Sequence, residues 1–558
     1  MRKLLSLVPV LVMAACDLSP DLVMPDAKAP EAFKENTTDA PALAEMAPAV
    51  EPASDGKWKR ADEKAHIEEF AWWRMFHDDA LNALEEQAMK ENPSLDVAAE
   101  RVTRARAAAE VADASLYPEV SVGAGPSIQR NSPGAIKPAS FAYKKPYTLY
   151  NARGTISYEL DLFGKNRNAA KAAALQAEGE ENNFYAARLS LQADVAQTYF
   201  QLAALRAEAD TLKRAVATRK KALELTRKKR DVGAVDDVVL SSAENDLSGV
   251  EGDQASVLQQ QSVQEHALAI LVGQPPANFS APITKLNKLP PVVPAGLPSA
   301  LLERRPDIQA AVKNIAGANA SIGVARAGYF PDISLSAVGG FTSGDLGQLF
   351  NWSNRTWTIG PLAGTVLTQP IFQGGAISAR VAESRSDFTS AVANYRASVL
   401  QAFREVEDNL SGLRNVNDQG AASAQALKSA QRTFDIVDAR FKVGSASYLE
   451  QLDAERNLLA AQRNNAQVMG NRYITTVQLV KALGGSWEQP PAKPAVKVEA
   501  VKPAPETPIA VKSDSEASWA DSVTDAFSDV FGQKEESGKP AASKVNSGLP
   551  PAELLESK

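Results

Sequence analysis

The stretch ERRPDIQAAVKNIAGANASIGVARAGYFPD, Glu303 to Asp332, decides the fold. A polar, alanine-rich run follows Pro306, stops at Phe330-Pro331, and opens into the alternating ISLSAVGG of 333–340. Proline suits the first turn of a helix, and the residue before a proline is pushed towards extended backbone. The stretch therefore predicts a helix that switches into a strand. ENPSLDVAAERVTRARAAAEVADASLYPEVSVGAG, Glu91 to Gly125, has the same design. Pro93 to Pro118 and Pro306 to Pro331 are each 25 residues apart.

An internal repeat outranks any single motif. Working outward, Leu162-Phe163-Gly164 returns as Ile371-Phe372 before Gly374-Gly375, Leu205-Arg206 as Leu413-Arg414, Val232-Gly233 as Val443-Gly444, and Gly273 as Gly484. The offsets lie between 208 and 213. The chain is thus read as two copies of one unit: short helix, strand, loop, strand, long helix, sharp tip, long helix. The predicted boundaries are a leader at 1–15, an arm at 16–60, a first repeat at 61–290 and a second at 291–489. The first repeat carries strands at about 118–163 and a tip near 233; the second carries strands at about 332–372 and a tip near 444. A low-complexity tail fills 490–558.

With 558 residues the chain has ample length for a large structure. Hydrophobic residues make up 44%, much of it alanine, with only 6% aromatics, which suits closely packed helices. The net charge of −7 and the lack of a basic stripe give no sign of a nucleic-acid partner. A single cysteine excludes an intramolecular disulfide and a multi-cysteine metal site. His66, His77 and His266 are scattered and are read as structural or surface residues. No nucleophile, base and orienting group come together, so no catalytic residue, metal or cofactor is assigned and an enzyme is disfavoured.

MRKLLSLVPVLVMAAC, residues 1–16, reads as a signal peptide: Arg2 and Lys3, then an apolar stretch, then Ala14-Ala15. Cys16 falls where bacterial lipoproteins carry the lipidated cysteine. Met13 departs from the leucine usual in such a motif, and Asp17 stands where, in some bacteria, aspartate favours inner-membrane retention. Residues 17–60 read as an extended arm. The Trp72-Trp73 pair is read as core packing rather than a ligand site.

Pro118 to Gly125, Leu149 to Leu162, Asp332 to Phe341 and Trp357 to Ile371 alternate like strands. Four strands cannot close a barrel, and lipid tolerates no open edge. Either the sheet is soluble or several chains pool their strands. Leu191, Val195, Thr198, Leu202, Leu205, Ala209, Leu212, Val216, Arg219 and Leu223 follow a 4-3-4-3 seam, and Leu240 to Leu271 bring a matching seam back. Ala169 to Asp231 as one helix spans roughly 90 Å, a spacer rather than a compact domain.

Six stretches in order on this framework resemble the TolC-like outer membrane factor family, in its lipidated NodT branch found with resistance-nodulation-division pumps. They are LDLFGKNRNAA from Leu160, VPAGLPSALLERRPDI from Val293, ARAGYFPDISL from Ala325, QPIFQGGAISA from Gln369, AFREVEDNLSGL from Ala402 and KALGGSW from Lys481. The resemblance runs from Cys16 to about Trp487. It implies a mainly α fold with a small β part: a long coiled-coil tunnel, plus four strands per chain in a trimeric barrel of about twelve. It also implies a homotrimer in the outer membrane with its tunnel in the periplasm, anchored by a lipid on Cys16. The implied partners are outer membrane lipid, a periplasmic adaptor and an inner-membrane resistance-nodulation-division pump.

By the same resemblance, Glu450 and Asp453 in SASYLEQLDAERN match an acidic pair that rings the periplasmic entrance, and Asp237, beside Asp236, matches a further tip aspartate. Carboxylates in a ring repel one another and attract cations; the alternative is solvated tip charges. Some members lock the tip with a tyrosine and an arginine, where this chain has Phe441 and Ala446. The gate is then expected to close by apolar packing around Phe441, Leu449 and Leu452. Val232, Gly233, Val443 and Gly444 match the tips that an adaptor grips, although helix reversal alone explains the glycines. In the tail, Trp519, Val523, Phe527 and Val530-Phe531 share a helical face within 518–532. That patch suits docking on the equator, a partner or a membrane, or packing within the chain.

The function implied is the exit channel of a tripartite efflux pump for small molecules or drugs. The alternatives are an exit duct for ABC-driven type I protein secretion, and a pore-less periplasmic structural or adaptor lipoprotein. Seven methionines in no cluster favour organic cargo over copper.

Overall fold

The computed structural model describes residues 17–25, 29–30, 32–35, 71–130, 146–286, 289–293, 302–359 and 365–485. The leader, Cys16 and the tail from 490 with its 518–532 patch lie outside these. The elements are α1 (Asp79–Glu91), α2 (Pro93–Ala114), β1 (Glu119–Gln129), β2 (Tyr147–Leu160), α3 (Lys165–Asp231), α4 (Asp237–Leu271), α5 (Pro306–Ala327), β3 (Asp332–Ser343), β4 (Arg355–Ile359), β5 (Thr365–Thr368), α6 (Ala376–Lys442) and α7 (Tyr448–Ala482). The fold is mainly helical with one small antiparallel sheet, as the resemblance implied.

The sheet runs β1-β2-β3-β4, and β5 pairs with β3 on the same side as β4. The expected fourth strand, Trp357 to Ile371, is described as two segments, β4 and β5, on either side of 360–364. Register sorts the two faces. Val120 opposes Ile156, which opposes Ala337; Ala152 opposes Phe341; Gly339 opposes Trp357. The other face carries Ser121 opposite Thr155, Arg153 opposite Gly340 and Asn151 opposite Thr342. A two-residue period thus yields one apolar and one polar face. Gly340 is obligatory, since a Cβ there would lie 2.1 Å from the Ala152 carbonyl oxygen. β1 to β3 hold 11 to 14 residues, enough for a tilted membrane strand of about 9–11. No helix among the described residues is long and apolar enough to cross a membrane.

α3 and α6 each contain 67 residues, about 100 Å at 1.5 Å per residue. Both begin behind a left-handed glycine, Gly164 at φ 72° and Gly375 at φ 86°. Their offset is 211 at both ends, which corrects one pairing made from sequence: Leu205 corresponds to Val416, not Leu413. A continuous helix cannot lose three residues without breaking its hydrogen-bond ladder. The spacing differences fall in the corners instead, where Phe372-Gln373-Gly374-Gly375 does the work of Phe163-Gly164.

The two arms of each hairpin are unequal. The return helices α4 and α7 have only 35 residues each, about 52 Å. They accompany the lower parts of α3 and α6. Above them α2 and α5 take over, as shown by Arg106 and Lys313 pairing with Glu181 and Glu178 of upper α3. The handover occurs at a splice in each copy. Gly273 ends α4 at φ 76° against the Glu91 backbone, and Gly484 ends α7 at φ 87° against the Arg304 backbone. Asn92 and Arg305, which precede α2 and α5, reach back to the carbonyls of Leu271 and Ala482 at 2.8 and 3.1 Å.

The largest core surrounds this equator. Trp72, Trp73, Leu81, Leu84 and Phe33 pack against Leu191, Val195, Tyr199 and Phe200 of α3 and Val477 and Val480 of α7. Trp72 donates to Gln192 Oε1 at 3.1 Å, a packing role for the tryptophan pair. Tyr199 donates to Asp78 at 2.6 Å, and burial followed by that contact pushes its hydroxyl pKa up. The arm meets the same level: Lys34 and Glu35 donate backbone amides to Glu407 at 2.7 and 3.0 Å, and Arg414 pairs with Glu35.

Candidate functional site

The two tips are copies of one motif. Ala234 N donates to Lys229 O at 2.8 Å and Gly233 N to Arg230 O at 2.9 Å; Ser445 N donates to Arg440 O at 2.8 Å and Gly444 N to Phe441 O at 3.0 Å. This paired closure needs a left-handed residue, supplied by Gly233 at φ 73° and Gly444 at φ 78°. Each next helix is capped: the Asp236 side chain accepts from Val239 N at 3.0 Å, and the Ser447 hydroxyl from Glu450 N at 3.2 Å. Val232 and Val443 project as exposed apolar knobs at the turns.

The acidic residues fall on the surface of these tips. Asp237 takes a 2.8 Å hydrogen bond from Arg230, both side chains being open to solvent. Glu450 is exposed in the first turn of α7, and Asp453, also exposed, is 3.9 Å from Arg456. Leu452 is buried between helices, whereas Leu449 is 57% exposed. Phe441 is half-buried, 6.4 Å from the Tyr448 ring, with Lys229 Nζ 5.5 Å from its ring centroid. Lys229 thus joins the end of α3 to the end of α6, a contact the sequence reading missed.

Above the tips lies a charged cluster that seam spacing alone does not reveal. Arg219, a seam residue of α3, is 3% exposed. Its Nε pairs with Asp246 of α4, and its Nη1 lies 3.5 Å from Glu455 of α7. Asp246 also accepts from Arg456 Nε at 2.7 Å. Burial pushes the Glu455 carboxyl up; the Arg219 guanidinium works against it, while Asp246 and Asp438 add to it. Higher up, buried Glu208 of α3 accepts from Arg463 Nε at 2.8 Å and Gln467 Nε2 at 3.1 Å. Arg463 Nη1 reaches Asp253 of α4 at 2.6 Å. Charged rungs therefore tie the first hairpin to the second through α7. The detectable signal was an arginine on an apolar seam.

The geometry combines an amphipathic sheet, long helices and a jointed tip. The family model described as outer membrane efflux protein matches residues 84–274 and 297–485. The probable efflux pump outer membrane protein TtgC of Pseudomonas putida is 31% identical over 490 residues, 87% of this chain and 96% of that protein. The cation efflux system protein CusC of Escherichia coli is 30% identical over 490 residues, 87% of this chain and 99% of that protein. Among solved structures, the Campylobacter jejuni CmeC outer membrane channel superposes with a TM-score of 0.74 at 26% identity, covering 85% of this chain and 96% of that one.

Proposed function

The chain belongs to the outer membrane efflux protein family, and from that premise we propose that it is the outer membrane exit duct of a tripartite efflux pump. In this reading it carries small molecules from an inner-membrane resistance-nodulation-division pump, through a periplasmic adaptor, to the exterior. The observation that carries the reading is the sheet. It has one apolar and one polar face, both outer strands lack a second neighbour among the described residues, and it is continuous with helices of 67 residues. Unpaired strand edges are not tolerated in lipid. Three copies pooling their strands close a barrel of about twelve, apolar outside and polar within. A homotrimer follows, with the helices forming a periplasmic tunnel.

At its lower end, the exposed carboxylates Asp236, Asp237, Glu450 and Asp453, repeated three times, form an acidic mouth that admits cations and constricts the entrance. Phe441, Leu449 and Leu452 supply apolar packing beside it. The knobs Val232-Gly233 and Val443-Gly444 are the adaptor's grip. Cys16 carries the lipid that anchors the arm.

The test is in-cell crosslinking through a C-terminal tag, followed by identification of the captured proteins and planar-bilayer recording of the purified channel. The expected result is an adaptor with a resistance-nodulation-division pump, together with pores. Capture of an adaptor with an ABC exporter overturns the pump assignment in favour of type I secretion. Absence of any conductance, including from a variant with a loosened gate, overturns the duct.

A further inference from the structure

Just beneath the sheet, the segment Asp17–Pro20 lies in a cleft made by both repeats. Asp17 Oδ1 accepts from Asn168 Nδ2 at 2.9 Å, in the first turn of α3, and from Ser19 N and Oγ at 2.9 and 2.7 Å. Arg326 Nη1, in the last turn of α5, donates to Leu18 O at 3.1 Å, and Asn319 Nδ2 donates to Pro20 O at 2.8 Å. Asn168 and Asn319 are buried. Gly323 leaves the room: a Cβ there would stand 2.7 Å from Asn168 Nδ2 and 3.0 Å from Ser19 N.

The internal repeat supplies a control. Helix offsets of 211 and 213 map Asn168, Asn319, Gly323 and Arg326 onto Ala379, Arg106, Glu110 and Asp113. None of the four is kept, and Arg106 is engaged with Glu181 at 3.1 Å. The framework does not need these residues, since the other copy folds without them. Their shared feature is contact with the N-terminal segment. The Asp17 carboxyl is held down at about 2; partial burial opposes this and is outweighed by the hydrogen bonds from Ser19 and Asn168, with Lys171 nearby.

We propose that this one-copy cleft is a receptor for the processed N-terminus, taking a short extended peptide led by a carboxylate and fixing Asp17 at the base of the sheet. Asp17 is its positioning residue: it folds the segment through Ser19 and locks it to Asn168. On the lipidation reading given above, the cleft directs the acyl chains into the bilayer beside the strands of the same chain.

Hydrogen–deuterium exchange on the full-length channel in lipid nanodiscs tests the receptor. The amides of residues 17–19 exchange slowly in the native protein, Pro20 having none. Asp17→Ala, which replaces no residue of a helix, speeds their exchange about tenfold, the scale for losing a charged hydrogen-bond acceptor. Gly323→Val does the same while the rest of α5 keeps its protection. Exchange of the 17–19 amides at free-peptide rates in the native protein, or no response to Asp17→Ala, overturns the receptor. The mass of the N-terminal peptide in the same digest reads the acyl state, so absence of lipid overturns only the anchoring clause. With lipid present, a diazirine-bearing fatty acid fed to cells crosslinks to the lower ends of β2 and β3 in the native chain. Scattered crosslinks in the native chain overturn that clause alone.

Discussion

Asn92 Nδ2 donates to the Leu271 carbonyl oxygen over 2.8 Å, while its Oδ1 accepts from Ser94 N and Leu95 N at 2.8 and 3.3 Å. One side chain therefore closes the end of α4 and opens α2. In the second copy Arg305 performs only the donor half, towards Ala482, without a side-chain cap. Its charge is held by Asp307 at 2.6 Å and Glu405 at 2.7 Å.

Asn92→Ala removes a helix cap and a link between elements far apart in sequence, and is expected to destabilise by about 1–3 kcal/mol. Asn92→Ser keeps the cap but cannot reach Leu271, so it recovers part of the loss. Thermal unfolding and exchange at Ser94 and Leu95 read both. If the serine variant melts like the native protein, the Leu271 bond contributes nothing.

The Arg219 cluster predicts a non-additive pair. Asp246→Leu leaves Arg219 buried with only Glu455, and loss of one partner from a buried ion pair costs about 3–5 kcal/mol. Arg219→Met combined with Asp246→Leu recovers most of that. The single variant is also expected to raise channel conductance, because the rung ties the two hairpins together. A single variant as stable and as quiet as the native channel shows that the rung does not hold the hairpins together.

Glu85 is 0% exposed, and neither carboxyl oxygen has a hydrogen-bond partner among the described residues. Burial pushes its pKa well above the usual carboxylate value, so the folded chain keeps a proton that the unfolded chain releases. The contribution of Glu85 to stability is therefore fully present at acid pH and falls as pH rises above the ordinary glutamate range, by up to about 1.4 kcal/mol per unit. Glu85→Gln flattens this slope, and its gain is larger at pH 8 than at pH 5. Denaturant unfolding at the two values decides: equal gains remove Glu85 as the source.

Replacing Glu450 and Asp453 together with alanine is expected to lower cation selectivity and weaken block by multivalent cations in bilayer recordings. Unchanged selectivity puts both carboxylates outside the narrow pore.

Much of this architecture was legible because repetition is visible without coordinates. Pro93 with Pro306, and Gly233 with Gly444, announce two copies, and alternation through 333–340 announces a strand. The splices were not legible, since Gly273 marks a helix end but not the Glu91 backbone that it abuts. Leu-Arg recurs at 413–414, so the sequence pairs Leu205 with Leu413, and only helices of equal length show Val416 to be its counterpart. At the tip, residue types indicated the acidic positions. The ties from Arg219 and Lys229 depend on neighbours across other helices, which no local period encodes.

The identical lengths of α3 and α6 also limit how such a chain can diverge. Insertion of a residue into one long helix would rotate every side chain below it by about 100° and throw its tip out of step with the other. Reach below the membrane can therefore change only through coordinated additions to both long helices and their partners. The Ile371–Gly375 corner has absorbed extra residues without cost to that agreement. Length variation among descendants of this chain should collect in such corners and leave the tunnel as a fixed ruler.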